Sequence, residues 1–294
     1  MKFKIPKTFM GKPVEGAIDR ALNAKPEGNG GENQGQNGGR DYDFGGTASD
    51  SFILSYDGTH ETFAQELIAK SNETFKGTKA EIPAGTQGEI TNMYIAKRMA
   101  LVSTIANNQN LRSAGLWPVT ASQSEALLKA GKLVNPTSNW EDLTLLIYST
   151  NGKNQKEALA LIESIKRNRS DLGLSESDLE KRLVVVNPGG VPDQNMSYGV
   201  KPIVIPGVTL VYLHEILDKT GVNHTFEYGL SGGLPKEGEI GQGSRTLYMP
   251  SGDDIGLRVL YRGGDLHLFA RGEDLADSNE YGRVHFAPQA RAGN

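Results

Sequence analysis

Two histidines and a glutamate are the first residues in this chain whose types could bind a metal. His214 and Glu215 are adjacent, and His224 follows. Zincin-type metalloproteases place two histidines one helical turn apart, with a glutamate between them. Here Gly221 ends the helix that we predict over Thr209–Lys219, so the two imidazoles would not share a helix face. The spacing therefore predicts no metal site, and we expect no cofactor.

A second group that could do chemistry follows an apolar strand. Leu183–Val186 is LVVV, and Asn187–Gly190 (NPGG) comes directly after it. Enzymes with open α/β sheets bind ligands outside the carboxyl ends of their strands. The alternative hypothesis is therefore an α/β hydrolase-like or nucleotide-handling enzyme with its site at Asn187–Gly190. No Lys, Ser or Thr follows directly to hold a phosphate, and no strand–Gly-x-Ser-x-Gly–helix elbow is predicted, so we expect no enzyme activity.

The third group predicts a binding surface near the end of the sequence, in the stretch SGDDIGLRVLYRGGDLHLFARGEDLADSNEYGRVHFA over Ser251–Ala287. Apolar and arginine positions alternate with others, as in strands with one buried face. The interleaved residues would share an outer surface rich in Tyr, Asp, Gly and Asn, like an antibody paratope. The regular positions are Gly256, Leu257, Arg258, Leu260, Arg262, Leu266, Leu268, Ala270, Arg271, Leu275, Ser278, Gly282, Arg283, Val284 and Phe286.

This stretch resembles the variable region of the target proteins of diversity-generating retroelements. In that family, adenines of a template copy are randomised, mainly in AAY codons, which cannot become Lys, Glu, Gln, Met or Trp. Between Val259 and Phe286 there is no Lys, Gln, Met or Trp, while Glu273 and Glu280 are exceptions. The resemblance implies that ligand-binding, variable positions are Tyr261, Gly263, Gly264, Asp265, His267, Phe269, Gly272, Asp274, Ala276, Asp277, Asn279, Tyr281 and His285.

The resemblance also implies a fold and a function. Family members display the variable region on a C-type lectin fold related to formylglycine-generating enzymes, and the lead-in RTLYMPSGDDIGLR and the ending GRVHF are similar to archaeal and candidate-phylum members. We therefore expect an α+β, C-type lectin-like protein whose variable region, about residues 256–286, binds a macromolecule such as a protein or cell-surface component. Formylglycine-generating enzymes rely on cysteines and this chain has none, so that activity is not expected here.

Composition narrows the classes of protein. The chain is 37% hydrophobic and 22% charged, which is typical of a soluble globular protein. Its net charge of −4 shows no basic excess that would predict nucleic-acid binding. No apolar run is long enough to cross a bilayer, and the first residues lack the apolar core of a signal peptide. Localisation stays open, with a cell surface and a virion both compatible with this composition.

The sequence predicts two regions. Residues 1–46 form an N-terminal segment and a flexible linker rich in Gly, Asn and Gln, because almost nothing there can be buried to offset the ordering entropy. Residues 47–294 form the ligand-binding domain. Helices predicted between apolar strands at Leu143–Tyr148, Leu183–Asn187 and Ile203–Pro206 favour, as the structural alternative, a small α/β unit in the middle of the chain.

Local patterns predict the elements that would position these groups. Helices are expected at His60–Ser71, Gly88–Asn108, Ser122–Lys129, Asn154–Arg169 and Thr209–Lys219, with Ser122 and Glu125 as a capping box. A strand is expected at Ser51–Tyr56, and Trp140 is assigned to the buried strand of Leu143–Tyr148.

Alternation also predicts which side chains of the C-terminal stretch are inside. We expect its regular leucines, Val284 and Phe286 to be buried and the interleaved residues to be exposed on one face. The arginines Arg258, Arg262, Arg271 and Arg283 are expected to brace the scaffold through carbonyls or carboxylates.

Overall fold

The structure of the protein is a computed structural model. It describes residues 8–9, 12–13, 51–83, 85, 87–251, 256–276 and 280–288. The predicted linker, the boundary between residues 46 and 47, and the variable positions Asp277 and Asn279 lie outside these ranges. The described part is a mixed α+β structure, as the sequence predicts, with more strands than helices.

Fourteen strands and six α-helices are present in the described ranges. The strands are β1 (Thr8–Phe9), β2 (Lys12–Pro13), β3 (Phe52–Ile53), β4 (Leu116–Pro118), β5 (Glu141–Ile147), β6 (Leu183–Val186), β7 (Gly189–Pro192), β8 (Val200–Ile203), β9 (Leu210–Leu213), β10 (His224–Phe226), β11 (Arg245–Tyr248), β12 (Leu257–Arg262), β13 (Leu268–Gly272) and β14 (His285–Pro288). The helices are α1 (Glu61–Phe75), α2 (Ile95–Asn107), α3 (Gln109–Ser113), α4 (Ala121–Lys129), α5 (Gln155–Arg167) and α6 (Arg169–Leu172).

A seven-stranded sheet in the order β10-β11-β13-β12-β5-β6-β9 organises the chain. Its neighbours pair antiparallel except β11 and β13, which are parallel. The alternative of a small α/β unit is therefore wrong, because the middle strands β5, β6 and β9 alternate in direction instead of running parallel. Helix α5, between β5 and β6, is long enough to form the crossover to a parallel strand that this alternative requires. The chain instead returns antiparallel, which the order of helices and strands in the sequence could not show.

The two faces of this sheet bury different residues of the same strands. Leu145 and Val259 pack with α2 and α5 on one face. Leu146 and Leu260 pack on the opposite face, because successive strand side chains point to opposite sides. The apolar core under α2 and α5 includes no residue of β11 or β13. On the helix-bearing face, the side chains of these two strands are therefore free to make other contacts.

A second, three-stranded sheet in the order β3-β14-β4 closes the structure. Phe286 of β14 pairs with Phe52 and with Pro118. Phe286 is fully buried, and its ring lies 5.9 Å from those of Phe52 and Phe63. The last described strand is therefore anchored by elements from the beginning of the described chain.

A bilayer-spanning helix needs about 20 apolar residues, and no helix in the described ranges meets that requirement.

One predicted helix is wrong. Thr209–Lys219 contains β9 and a 3₁₀ turn at Glu215–Asp218 instead of an α-helix. Residues Leu210–Leu213 (LVYL) pair with β6 across the sheet edge, and this pairing outweighs the weak helical spacing.

Other boundaries need smaller corrections. The capping box of α4 is formed by Thr120 and Gln123, two residues before the predicted pair. Helix α2 begins at Ile95 and not at Gly88. The strand predicted over Ile203–Pro206 lies earlier, as β8. The bounds of α1 lie within four residues of the predicted ones, and those of α5 within two, because the apolar residues of both helices recur at helical spacing.

Behind the C-terminal segment, one buried carboxylate binds three basic side chains from different elements. Glu141 of β5 accepts hydrogen bonds from Arg262 of β12 and His285 of β14, both at 2.9 Å. Arg98 of α2 lies 3.6 Å from the other carboxylate oxygen. All four side chains are at most 1% exposed. This carboxylate therefore joins a helix, the large sheet and the small sheet.

The His285 ring lies between two oxygen atoms. Nδ1 lies 2.9 Å from Glu141 Oε2, and Nε2 lies 2.8 Å from the Val134 carbonyl oxygen. These two contacts hold the ring in place inside the core. Burial raises the pKa of Glu141, but the charges of His285, Arg262 and Arg98 outweigh it and lower the pKa to about 2.

We predict that Glu141→Gln destabilises the protein by roughly 3–5 kcal/mol at neutral pH, because it leaves buried cations without their counter-charge. The lowered pKa of Glu141 means that its stabilisation is complete above the usual carboxyl pKa and is lost as pH falls towards about 2. The acid dependence of stability should therefore be flatter in the variant. Urea unfolding between pH 7 and pH 3 measures both effects.

Glu73→Gln is the matched control. The Glu73 carboxylate pairs with Lys70 at 3.2 Å and is 71% exposed. Its substitution should change the free energy of unfolding by at most about 0.5 kcal/mol. Equal stabilities of Glu141→Gln and the unmodified protein would contradict the structural role of the buried carboxylate.

Candidate ligand-binding face

The hairpin between β12 and β13 builds the centre of the candidate face. Its turn is closed by hydrogen bonds from Gly263 N–H to the His267 carbonyl and from Leu266 N–H to the Gly263 carbonyl, both 3.0 Å. Leu266 has a φ of +68°, and its side chain is half-buried at the turn. The prediction that Leu266 is buried is therefore wrong, because the turn interrupts the alternation that predicted it.

Four aromatic rings stack across adjacent strands on one side of the sheet. Trp140, Tyr261, Phe269 and Tyr248 follow one another with centroid separations of 5.6, 4.7 and 4.7 Å and interplanar angles of 12° or less. We call these four residues the aromatic ladder. Cross-strand aromatic pairs contribute roughly 0.5–1.5 kcal/mol each beyond the area they bury. The ladder therefore stabilises the hairpin while leaving ring edges at the surface.

The two ends of the aromatic ladder come from outside the variable region. Trp140 directly precedes β5 and is 44% exposed, and Tyr248 ends β11 and is half-buried. Trp140 was predicted to belong to a buried strand, and that prediction is wrong. No local signal could place Trp140 beside Tyr261, because their contact arises from the pairing of β5 with β12.

Polar groups surround the ladder on the same side of the sheet. His267 Nδ1 accepts a hydrogen bond of 2.9 Å from the Thr246 N–H, and the ring lies edge-on to Tyr248. Asp265 Oδ1 accepts from the His267 N–H at 3.1 Å. Arg271 lies over the rings of Tyr248 and Phe269, at 4.9 and 5.7 Å. The face therefore combines aromatic edges with donors and one carboxylate.

Backbone hydrogen bonds hold the loop that follows β13. The carbonyl oxygens of Leu275, Tyr281 and Gly282 accept from the main-chain N–H groups of Ala96, Trp140 and Met93, at 3.2, 3.0 and 3.2 Å. The Asn154 side chain also donates to the Glu273 carbonyl. These bonds use the main chain of the loop, so they are independent of the side chains that the loop displays.

The predicted ligand-binding residues have three environments within the described ranges. Asp265, Asp274 and Tyr281 are exposed. Partial exposure is found for Tyr261, Gly264, His267, Phe269, Gly272 and Ala276. The two remaining described positions, Gly263 and His285, are buried.

Two of these positions need correction. The assignment of His285 to the exposed, variable face is wrong, because its ring is bound by Glu141 in the core. Gly272 is constrained as well, since a β-carbon there would lie 2.9 Å from the Val259 carbonyl oxygen. Alternation alone could not show either feature, because both depend on what the neighbouring strands place behind the position.

The bracing role predicted for the arginines holds for three of them. Arg258 binds Glu273, Arg262 binds Glu141 and Arg283 binds Glu89, each at 2.9 Å. Arg271 is different, since it is exposed and its contacts within the described part of the chain are with aromatic rings.

The strand end at Asn187–Gly190 is filled by packing. A β-carbon at Gly189 would lie 2.7 Å from Ser103 Oγ, and one at Gly190 would lie 2.6 Å from Val200 Cγ1. The Gly190 N–H donates to the same Ser103 hydroxyl at 2.8 Å. This tight contact leaves no room for a ligand against the two glycines.

The histidines considered as metal ligands, and a serine string near them, have local structural roles. His214 Nδ1 accepts from the Ile216 N–H, and burial lowers the pKa of His214 to about 4. His224 Nε2 contacts the Lys219 carbonyl. A Gly-x-Ser-x-Gly string at 229–233, which sequence reasoning missed, forms a tight turn closed by hydrogen bonds between Ser231 and Leu234, without the strand-to-helix context of a nucleophile elbow.

We predict that Tyr261→Leu exposes the face of the Trp140 indole and shifts its fluorescence to longer wavelength. The variant should stay folded and lose about 1–2 kcal/mol of stability, because it removes two stacking contacts. Emission spectra and urea unfolding measure these changes. Tyr228→Leu, at a half-buried tyrosine outside the ladder, is the matched control and should leave the indole emission unchanged. An unchanged spectrum in Tyr261→Leu would contradict the stacking.

Comparison with known proteins adds no relative to this geometry. No protein-family model matches the chain, no curated protein matches it, and no solved structure matches it. The evidence for a function therefore lies in the aromatic ladder, the polar groups around it and the hydrogen-bonded loop.

Proposed function

We propose that this protein is a ligand-binding display protein diversified by a retroelement, with a C-type lectin-like fold. Its binding face is formed by the hairpin between β12 and β13, the loop after β13 and the aromatic ladder. The ligand is a macromolecule, of the protein or cell-surface class. One observation carries the proposal: Asp265, Asp274 and Tyr281 are exposed and Tyr261, His267 and Phe269 half-exposed, while the intervening Leu257, Leu260, Leu268 and Ala270 are buried.

The physical argument is that variation is tolerated only where it does not disturb the core. A wrong residue in a core costs roughly 2–5 kcal/mol, and total stability is only about 5–15 kcal/mol. At Asp265, Asp274 and Tyr281 the side chains extend to solvent, while the loop backbone is held through carbonyl oxygens of Leu275 and Tyr281. Such a backbone can present many different side chains without unfolding.

Aromatic residues favour binding over a purely structural role for this face. Trp140 and Tyr281 are 44% and 51% exposed, and their main chains are hydrogen-bonded to each other. Exposed aromatic side chains are costly to solubility, and they are enriched among the residues that contribute most to interfaces. The enzyme alternative has no comparable support, because the space at Gly189 and Gly190 is filled.

Two matched libraries test the proposal. The first randomises five outward positions, which are Asp265, His267, Phe269, Asp274 and Tyr281. The second randomises five buried positions, which are Leu257, Val259, Leu260, Leu268 and Ala270. Both are displayed on yeast and sorted for resistance to protease. We expect most members of the first library to stay folded and most of the second to be degraded, because core changes cost roughly 2–5 kcal/mol.

The folded members of the outward library are then panned against a set of unrelated purified proteins. If the outward positions contact ligands, specific binders should be found among these folded members. No such binders are expected among the survivors of the buried library. Equal loss of folding in the two libraries would contradict the proposal. So would a folded outward library that yields no binder to any protein of the set.

A further inference from the structure

Five arginines occur from Arg245 to Arg283, and they differ in whether a carboxylate of the described residues pairs with them. Four form ion pairs, which are Arg245 with Glu125, Arg258 with Glu273, Arg262 with Glu141 and Arg283 with Glu89. Arg271 is exposed, and no carboxylate of the described residues lies within ion-pair distance of its guanidinium. The scaffold therefore pairs the other four arginines with carboxylates, whereas Arg271 has no such partner among the described residues.

The Arg271 guanidinium is nevertheless held in place. It lies over the rings of Tyr248 and Phe269, with centroid distances of 4.9 and 5.7 Å. This cation–π contact with two rings restrains the guanidinium, and its N–H donors have no carboxylate partner among the described residues. An arginine held in this way loses little side-chain freedom when it forms a bidentate pair with a carboxylate. Arg271 is thus positioned to bind an anion, and no residue in the described ranges supplies one.

Neighbouring groups add donors to the same place. Because His267 Nδ1 accepts from the Thr246 N–H, the neutral ring carries its hydrogen on Nε2 and can donate through it. The nearby carboxylate of Asp265 has one oxygen engaged by the turn, through the His267 N–H. The region around Arg271 and His267 therefore favours a ligand that accepts hydrogen bonds.

We propose that Arg271 is a constant ligand-binding residue that recognises an Asp or Glu carboxylate in an acidic peptide segment of a protein partner. This inference rests on the proposed function. Apolar side chains next to that carboxylate pack on the ring edges of Tyr248 and Phe269. The variable residues around Arg271 then select among partners that share this acidic feature.

Charge on the face favours a peptide over a nucleic acid. Asp265, Glu273 and Asp274 are exposed on the same hairpin and loop, and the chain carries a net charge of −4. A polyanion needs several cations in a row to bind. A single carboxylate needs one, and Arg271 supplies it.

Peptide panning tests the proposal. A phage library of random dodecapeptides is panned on the full chain, and enriched peptides are measured by fluorescence anisotropy. We expect enrichment of Asp or Glu beside aromatic or aliphatic residues. Arg271→Gln should weaken binding roughly tenfold or more, and Arg271→Lys should weaken it less, because lysine keeps the charge but loses the planar stacking. Replacing the peptide carboxylate by its amide should have no added effect in Arg271→Gln.

Arg112→Gln, at another exposed arginine, is the matched control and should leave binding unchanged. Enriched peptides without acidic residues, or no enriched peptide, would overturn the proposal, as would unchanged affinity in Arg271→Gln. Binding that is lost in His267→Ala and Phe269→Ser but kept in Arg271→Gln would leave the display function standing and remove only this inference. Tighter, Arg271-dependent binding of an oligothymidylate would replace the acidic peptide by a nucleic acid.

Discussion

The Glu141 carboxylate is the constraint on which the rest of the structure depends. It joins three basic side chains, Arg98 of α2, Arg262 of β12 and His285 of β14, in a site shielded from water. Arg262 directly precedes the β12–β13 turn, and His285 begins strand β14. The carboxylate therefore holds both β12 and β14 of the C-terminal segment from the inside. A buried ion left without its partner is strongly destabilising, so these positions are fixed by electrostatics.

The outer side of the same segment follows a different physical rule. There the main chain is held by hydrogen bonds from Met93, Ala96 and Trp140, and exposed carboxylates such as Asp265 and Asp274 bind main-chain N–H groups two residues further on. The interior therefore constrains residue identity more strongly than the exterior does. In the proposed function, the residues of the ladder that lie outside the variable region contribute a shared component of affinity, and the variable positions contribute a changing one.

Patterns local in sequence predicted the parts of this structure that depend on local physics. The regular leucines of β12 and β13 were correctly placed in the core, as Leu257, Leu260 and Leu268 show, and helical spacing predicted α1 and α5. The expectation of one buried face is wrong for β12, because Arg258 and Val259 are buried as well and the strand packs on both faces. Features that depend on strand pairing could not be predicted. Trp140 reaches the face only because β5 pairs with β12, and His285 is buried only because Glu141 lies behind it.

Sequencing the gene and its flanking DNA from many cells shows which positions change on a fixed backbone, and so tests whether this protein is diversified by a retroelement. We expect an adenine-rich near-copy of codons 256–286 beside a reverse transcriptase gene. Substitutions should occur at adenine positions and concentrate in codons for outward residues such as Asp265 and Asp274, while codons 262 and 285 stay unchanged. Variation spread evenly over buried and exposed codons, or a segment that is identical in every cell and lacks a near-copy, would contradict it.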